Sequence, residues 1–181
     1  MNLPNKLTIL RVILIPFFIA CALIDTMLCK WLALAIFVIA SLTDLIDGKI
    51  ARKYNLVTDF GKFMDPLADK LLVTAALAVF VHTGLASVWV LFVVVVREFV
   101  VTGLRLVAAG GGVVIAASMW GKVKTMFQMI VIVYALIPFN MGQNLSFGAV
   151  TFMDVLMIAL AAITVISGVD YLYKNRKLLK E

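Results

Sequence analysis

The chain has 181 residues, 64% hydrophobic and only 14% charged, with 16 Lys and Arg against 10 Asp and Glu for a net charge of +6, and its mean hydropathy is +1.12. The length suits one domain, but this composition excludes a water-soluble globule. The basic residues lie beside apolar stretches instead of in a basic domain, so they read as membrane topology and attraction to anionic lipid and phosphate, and no nucleic-acid motif accompanies them.

Apolar stretches of about 20 residues, enough to carry a helix across roughly 30 Å of hydrocarbon, are predicted in chain order at residues 12–28, 31–50, 63–81, 88–107, 119–138 and 150–172. Unsatisfied backbone groups are intolerable in lipid, and long apolar runs without alternation exclude a closed barrel. The prediction is an all-α integral membrane protein with six transmembrane helices, one domain over residues 1–181. Both termini are placed in the cytoplasm, because Lys30 is then the one Lys or Arg outside and the other 15 of 16 lie at or toward the cytoplasmic face. Lys6 and Arg11 ahead of the first span, with Ala20-Cys21-Ala22 beyond, have the look of a cleavable leader, a reading that five further spans make unnecessary. Cys21 and Cys29 read as small buried hydrophobes, His82 as an interfacial residue without a role, and Asn140 to Gly148 as an outer loop.

Four acids carry the chemical signal. An aspartate at the centre of a membrane helix costs about 2.5–3.5 kcal/mol on insertion scales and so calls for a partner or a function. Asp44 and Asp47 lie near the cytoplasmic end of the second span, and Asp65 and Asp69 near the start of the third. Spacings of three and four put each pair on one helix face. On antiparallel helices the four carboxylates would converge, and their mutual repulsion calls for divalent cations. A donor set of oxygen alone favours Mg²⁺, with Mn²⁺ or Ca²⁺ as substitutes, and Mg²⁺ on carboxylates completes its shell with phosphate oxygens. Two acidic pairs suit two ions, the arrangement that neutralises both sides of an in-line displacement at phosphorus. Gly48, Ala51 and Gly61, within a turn of the acids, leave room for a ligand or for tight helix packing. Arg52 is a phosphate partner or a topology anchor.

The complete spacing, Asp44-x2-Asp47-Gly48-x2-Ala51-Arg52-x8-Gly61-x3-Asp65-x3-Asp69, resembles the signature of the CDP-alcohol phosphotransferase family, with all eight positions filled. Asn2 to Arg11, Arg97 to Arg105 and Gly121 to Thr125 are similar to the bacterial branch of that family that makes phosphatidylglycerol phosphate, and the likeness runs on to Asp170-Tyr171. The resemblance implies transfer from CDP-diacylglycerol to sn-glycerol 3-phosphate in the cytoplasmic membrane, with the active site facing the cytoplasm. It also implies a short amphipathic N-terminal segment at the interface and a homodimer. Asp44, Asp47 and Asp65 are then metal ligands, and Asp69 is the general base, at or beside an ion. Other acceptors (inositol phosphate, serine, phosphatidylglycerol) remain open, and the rival class is a divalent-metal transporter. A transporter needs polar residues continuing to the outer face, where Asp25 and Asp154 are almost the only ones.

Glycerol 3-phosphate brings its own phosphate, so the acceptor site needs cations besides the metals. Glu98, Thr102 and Arg105 share a face of the fourth span, and Lys122 and Lys124 open the fifth. Arg105, Lys122 and Lys124 are the predicted clamp, with anchoring as the alternative for the lysines and an ion pair with Glu98 the alternative for Arg105. Arg97 lies deeper and is expected to be paired. Glu98 points about 100° away from it, so an acid on another helix is an equal candidate. Asn5 and Thr8, one turn apart, are predicted to contact the CDP-lipid, although an Asn ahead of a helix also serves as a cap.

Overall fold

The computed structural model describes residues 3–53, 59–110, 115–116, 118–137, 146–147 and 150–176, with the backbone alone described at 3–4, 44–53, 59–63, 65 and 146–147. Its elements are α1 (Leu3–Leu23), α2 (Met27–Lys53), α3 (Asp59–His82), α4 (Val88–Gly110), α5 (Met119–Leu136), β1 (Ser146–Phe147), β2 (Val150–Thr151) and α6 (Phe152–Lys174). The protein is mostly helical, and each predicted apolar stretch contains most of one helix or lies largely within one. On length and hydropathy, two stretches of the described residues pass as membrane spans by themselves, Asn5–Leu23 and Phe152–Lys174.

Three boundaries differ from the hydropathy reading. The first apolar run was expected to continue to residue 28, but α1 stops at Leu23 and Met27 already belongs to α2. The break is made by polar chemistry that a hydropathy average cannot see: the Thr26 hydroxyl accepts the Cys29 amide at 3.3 Å, as a cap does, and Asp25 pairs with Lys30 at 2.5 Å. At the other end, α1 begins at Leu3 without interruption. The N-terminal segment expected to lie apart from the first span is therefore the opening turns of the same helix. Third, α6 starts at Phe152 because Thr151 is its cap in extended backbone, accepting the Asp154 amide while Asp154 accepts the Thr151 amide. The predicted outer loop is strand in part, since Ser146 and Phe147 pair antiparallel with Thr151 and Val150. Of the fifth span, Pro138 lies outside the described residues.

The chain divides into two compact units, residues 1–83 with 133–143, and residues 84–132 with 144–181. In the first, α1 packs on both α2 and α3, and α2 touches α3. The reason is the buried stripe of α1, Asn5, Thr8, Arg11, Ile15, Phe18 and Ala22, which repeats at three and four residues as a single helix face. Its apolar half meets Ala33, Phe37 and Ala40 of α2 and Leu72, Ala76 and Phe80 of α3 as the buried core, with the Phe18 and Phe37 rings 5.8 Å apart. Leu10, Ile13 and Phe17 on the opposite side of α1 are exposed, as side chains meant for lipid are.

In the second unit α4 packs on α6. Val101 and Leu104 of α4 bury the ring of Tyr171 from α6, with Ile115 and Leu172 beside them. The outward sides of both helices, including Phe92, Phe99, Ile158 and Val169, are apolar and exposed.

Candidate active site

Asp44, Asp47, Gly48, Ala51 and Arg52 lie along the last third of α2, and Gly61, Asp65 and Asp69 along the first half of α3. Both stretches are continuous helix, so the expected sharing of faces at spacings of three and four holds for the backbone. The side chains of all these residues except Asp69 lie outside the described residues. Asp69 is exposed, whereas its neighbour Ala68 is fully buried. The α3 face that carries the acid is therefore distinct from the face that packs. Lys70, next to it, turns back along the helix to donate to the Pro66 carbonyl at 3.1 Å. By residue type, aspartates on two helices of one unit offer oxygen as their donor atom, the donor that suits a hard divalent cation such as Mg²⁺.

The polar half of the α1 stripe lies in the same unit. Arg11, only 1% exposed, donates through Nε to the Ala40 carbonyl at 3.1 Å, and the Thr43 hydroxyl donates to that oxygen at 2.8 Å. Ala40 is one turn ahead of Asp44, so α1 is tied to α2 where the acid stretch begins. Arg11 was expected to be a basic residue ahead of a span; it is instead a buried structural cation, because the helix begins nine residues earlier than the apolar run. Asn5 and Thr8, the predicted substrate contacts, are buried on this same packed face.

The second unit holds the cations. Lys124 is buried and ion-paired to Glu98 Oε1, and Arg97 reaches the same oxygen through Nη1 at 3.1 Å. Arg97 Nη2 donates to the Ser167 hydroxyl at 2.7 Å. Glu98 thus serves Arg97 in spite of the 100° between them on the helix, since a long arginine can wrap sideways while its stem stays packed. That packing explains two glycines: a β-carbon on Gly168 would meet Arg97 Cγ at 3.3 Å, and one on Gly121 would meet Nη2 at 3.4 Å.

Arg105 is exposed and takes a different partner from the one weighed for it. Its Nε donates to the Tyr171 hydroxyl at 3.1 Å, and its guanidinium carbon lies 5.4 Å from the Tyr171 ring centroid. Lys122 is exposed as well, so of the three clamp residues two are open and the third, Lys124, is buried against Glu98. Sequence reasoning missed Tyr171 and Ser167, which are 66 and 70 residues from the arginines they hold. The available signal was small: a tyrosine and a serine one turn apart in an otherwise apolar helix.

Residues 1–168 match the family model described as CDP-alcohol phosphatidyltransferase. The chain belongs to that family. It is 47% identical over 193 aligned residues to a CDP-diacylglycerol–glycerol-3-phosphate 3-phosphatidyltransferase of Bacillus subtilis, covering 99% of this chain and 97% of the relative. A protein of the same name from Rickettsia felis is 39% identical, covering 97% and 96%. A probable phosphatidylglycerophosphate synthase of Mycobacterium tuberculosis is also 39% identical, covering 94% of this chain and 79% of the relative. The family match spans the acid stretch, the Arg97 to Arg105 stretch and the lysines of α5, and it makes this chain a transferase and a membrane protein.

Two acids that a transport path would need are used locally. Asp25 pairs with Lys30, whose hydrogen bond and then whose charge hold the Asp25 carboxyl below the usual range, and Asp154 completes the cap of α6.

Proposed function

We propose that this chain transfers the phosphatidyl group of CDP-diacylglycerol to sn-glycerol 3-phosphate, giving phosphatidylglycerol phosphate and CMP in the synthesis of anionic phospholipid. The observation that carries this reading is the acid spacing on α2 and α3, in a chain that relatives named for this reaction match over nearly its whole length.

Asp44, Asp47, Asp65 and Asp69 would hold Mg²⁺, as two ions, with Mn²⁺ as a substitute. When bound, such ions supply positive charge to the phosphoryl oxygens and to the departing CMP. Asp69 is the base: its carboxylate takes the hydroxyl proton of the acceptor. The acceptor oxygen bonds to the lipid-side phosphorus, and the bond from that phosphorus to the CMP oxygen breaks, so that CMP leaves with the electron pair. Ser41, one turn ahead of Asp44, spends its hydroxyl on the Phe37 carbonyl at 2.8 Å, and direct displacement is the simplest course. Gly48, Ala51 and Gly61 leave space for the CDP-lipid and Arg52 gives it a polar contact, whereas Asn5 and Thr8, expected to join it, are buried on the packed face of α1. Arg105 and Lys122, both exposed, hold the acceptor's phosphate, whereas Lys124, expected to join them, is buried and paired with Glu98.

The remaining features follow from charge and apolar length. Six spans with both termini in the cytoplasm put the basic residues on that side, and the site opens to the cytoplasmic face of the cell membrane; the family resemblance adds association of two copies as a homodimer.

The deciding experiment supplies the purified protein with CDP-diacylglycerol, Mg²⁺ and one alcohol at a time. CMP release with glycerol 3-phosphate is expected. Release with inositol phosphate, serine or phosphatidylglycerol alone would move the chain to another branch of the family, and ion flux in liposomes without CDP-lipid turnover would make it a transporter.

A further inference from the structure

We infer that Tyr171 is a positioning residue for acceptor recognition: its hydroxyl holds Arg105 by Nε and so presents the two terminal nitrogens of the guanidinium as a fork for a phosphate. This rests on the reading of Arg105 as an acceptor-phosphate ligand, and it adds the residue that makes the arginine effective.

The two ends of this contact differ in freedom. Tyr171 is only 2% exposed, and its ring is packed by Val101 and Leu104. Its backbone is held too, because the Asn175 amide and side-chain nitrogen donate to the Tyr171 carbonyl at 3.2 and 2.7 Å. The phenol is thus a fixed post. Arg105 is exposed, on a long side chain that free rotation would scatter over many rotamers. The hydroxyl takes the one nitrogen at the side of the guanidinium, and the ring lies beneath its carbon. Among the described residues nothing else binds Arg105. Its Nη1 and Nη2 are therefore left for a ligand, and a planar fork with two parallel donors suits two oxygens of one phosphate.

Lys124 makes the contrast. It is nine-tenths or more buried and already paired with Glu98, and nothing holds it out for a ligand. A fork immobilised before binding loses less entropy when the anion arrives, so the Tyr171 hydroxyl acts on acceptor affinity.

The test uses the full chain in detergent or liposomes with CDP-diacylglycerol and Mg²⁺. Tyr171→Phe keeps the ring, its packing and its stacking, and removes only the hydroxyl. The KM for glycerol 3-phosphate is expected to rise about tenfold, the ratio corresponding to one charge-assisted hydrogen bond, with kcat and the KM for CDP-diacylglycerol within about twofold. Added to Arg105→Ala, the tyrosine change is expected to do nothing more, because its effect passes through that arginine. Three results overturn the inference. An unchanged KM for glycerol 3-phosphate in Tyr171→Phe, while Arg105→Ala raises it, removes the tyrosine and leaves the clamp standing. Effects that multiply in the double variant, or a fall in kcat with both KM values unmoved, make Tyr171 structural. No response to either substitution in an active enzyme removes Arg105 from the acceptor site and the tyrosine with it.

Discussion

The α2–α3 region and the α4–α6 region both carry charge inside apolar helices, and they solve that problem in opposite ways. In α4–α6 the charges find partners among the protein's own side chains: Glu98 receives both Lys124 and Arg97, and Ser167 receives the other side of Arg97. In α2–α3 four acids recur along two helices at spacings that give like charge on like face. The first arrangement uses the protein's own side chains, with Arg97 Nε left as a buried nitrogen without a hydrogen bond among the described residues. The second, on the function proposed above, is where divalent ions and a phosphate-bearing substrate bind.

The comparison breaks most visibly at the acids. Asp69→Asn is expected to lower turnover by about two to four powers of ten, the range for a lost general base, while CDP-lipid binding in a filter or fluorescence assay largely survives. Asp44→Asn is expected to lose the metal-dependent part of that binding as well, and chelation of divalent ions to do the same to the unaltered protein. Near-normal rates in Asp69→Asn would remove it as the base.

Next in size is the balanced network. Glu98→Gln leaves Lys124 buried without its counter-charge, and losing one partner of a buried pair costs about 3–5 kcal/mol, to be read as a large fall in the thermal midpoint in detergent. Replacing both, as Glu98→Leu with Lys124→Met, is expected to recover much of that loss. If Glu98→Gln left stability unchanged, the contrast between the two regions would be false.

Arg105→Ala is expected to raise the KM for glycerol 3-phosphate about ten- to a hundredfold, as for a lost bond to a charged group, with little change in the thermal midpoint because the side chain is exposed. Gly168→Ala presses a methyl against Arg97 Cγ and should cost about 1 kcal/mol in stability, the low end for overpacking. The smallest effect belongs to Asp25→Asn. Because its carboxyl is held below the usual range by Lys30, the pair's contribution is complete above the ordinary carboxylate pKa and is lost as pH falls through the lowered value. The difference in thermal midpoint between Asp25→Asn and the unaltered protein should therefore be slight at neutral pH and vanish in acid.

Much of this was legible in the chain because membrane helices announce themselves locally. A run of apolar residues must be helical wherever it crosses lipid, which is why helix fills most of each predicted apolar stretch. The acid spacing was legible for the same reason, since residues three and four apart on a helix share a face wherever the helix lies. Boundaries were less so: a single Thr26 hydroxyl at 3.3 Å from an amide ended one helix and began another inside a stretch that averages as apolar.

By itself, the sequence determined the six helical stretches and the places of the four acids, consequences of short-range periodicity and of residue type, and its motif spacing carried the resemblance to the family. The tertiary structure decided which cation meets which acid. By sequence Arg105 was a partner weighed for Glu98, but Glu98 takes Arg97 and Lys124, because α5 and α6 bring Lys124 and Ser167 to that face of α4, leaving Arg105 to Tyr171. The same holds for Arg11, whose burial follows from α1 lying against α2 and α3. Pairing between distant segments depends on how helices pack, and no periodicity within one helix records the face its neighbour presents.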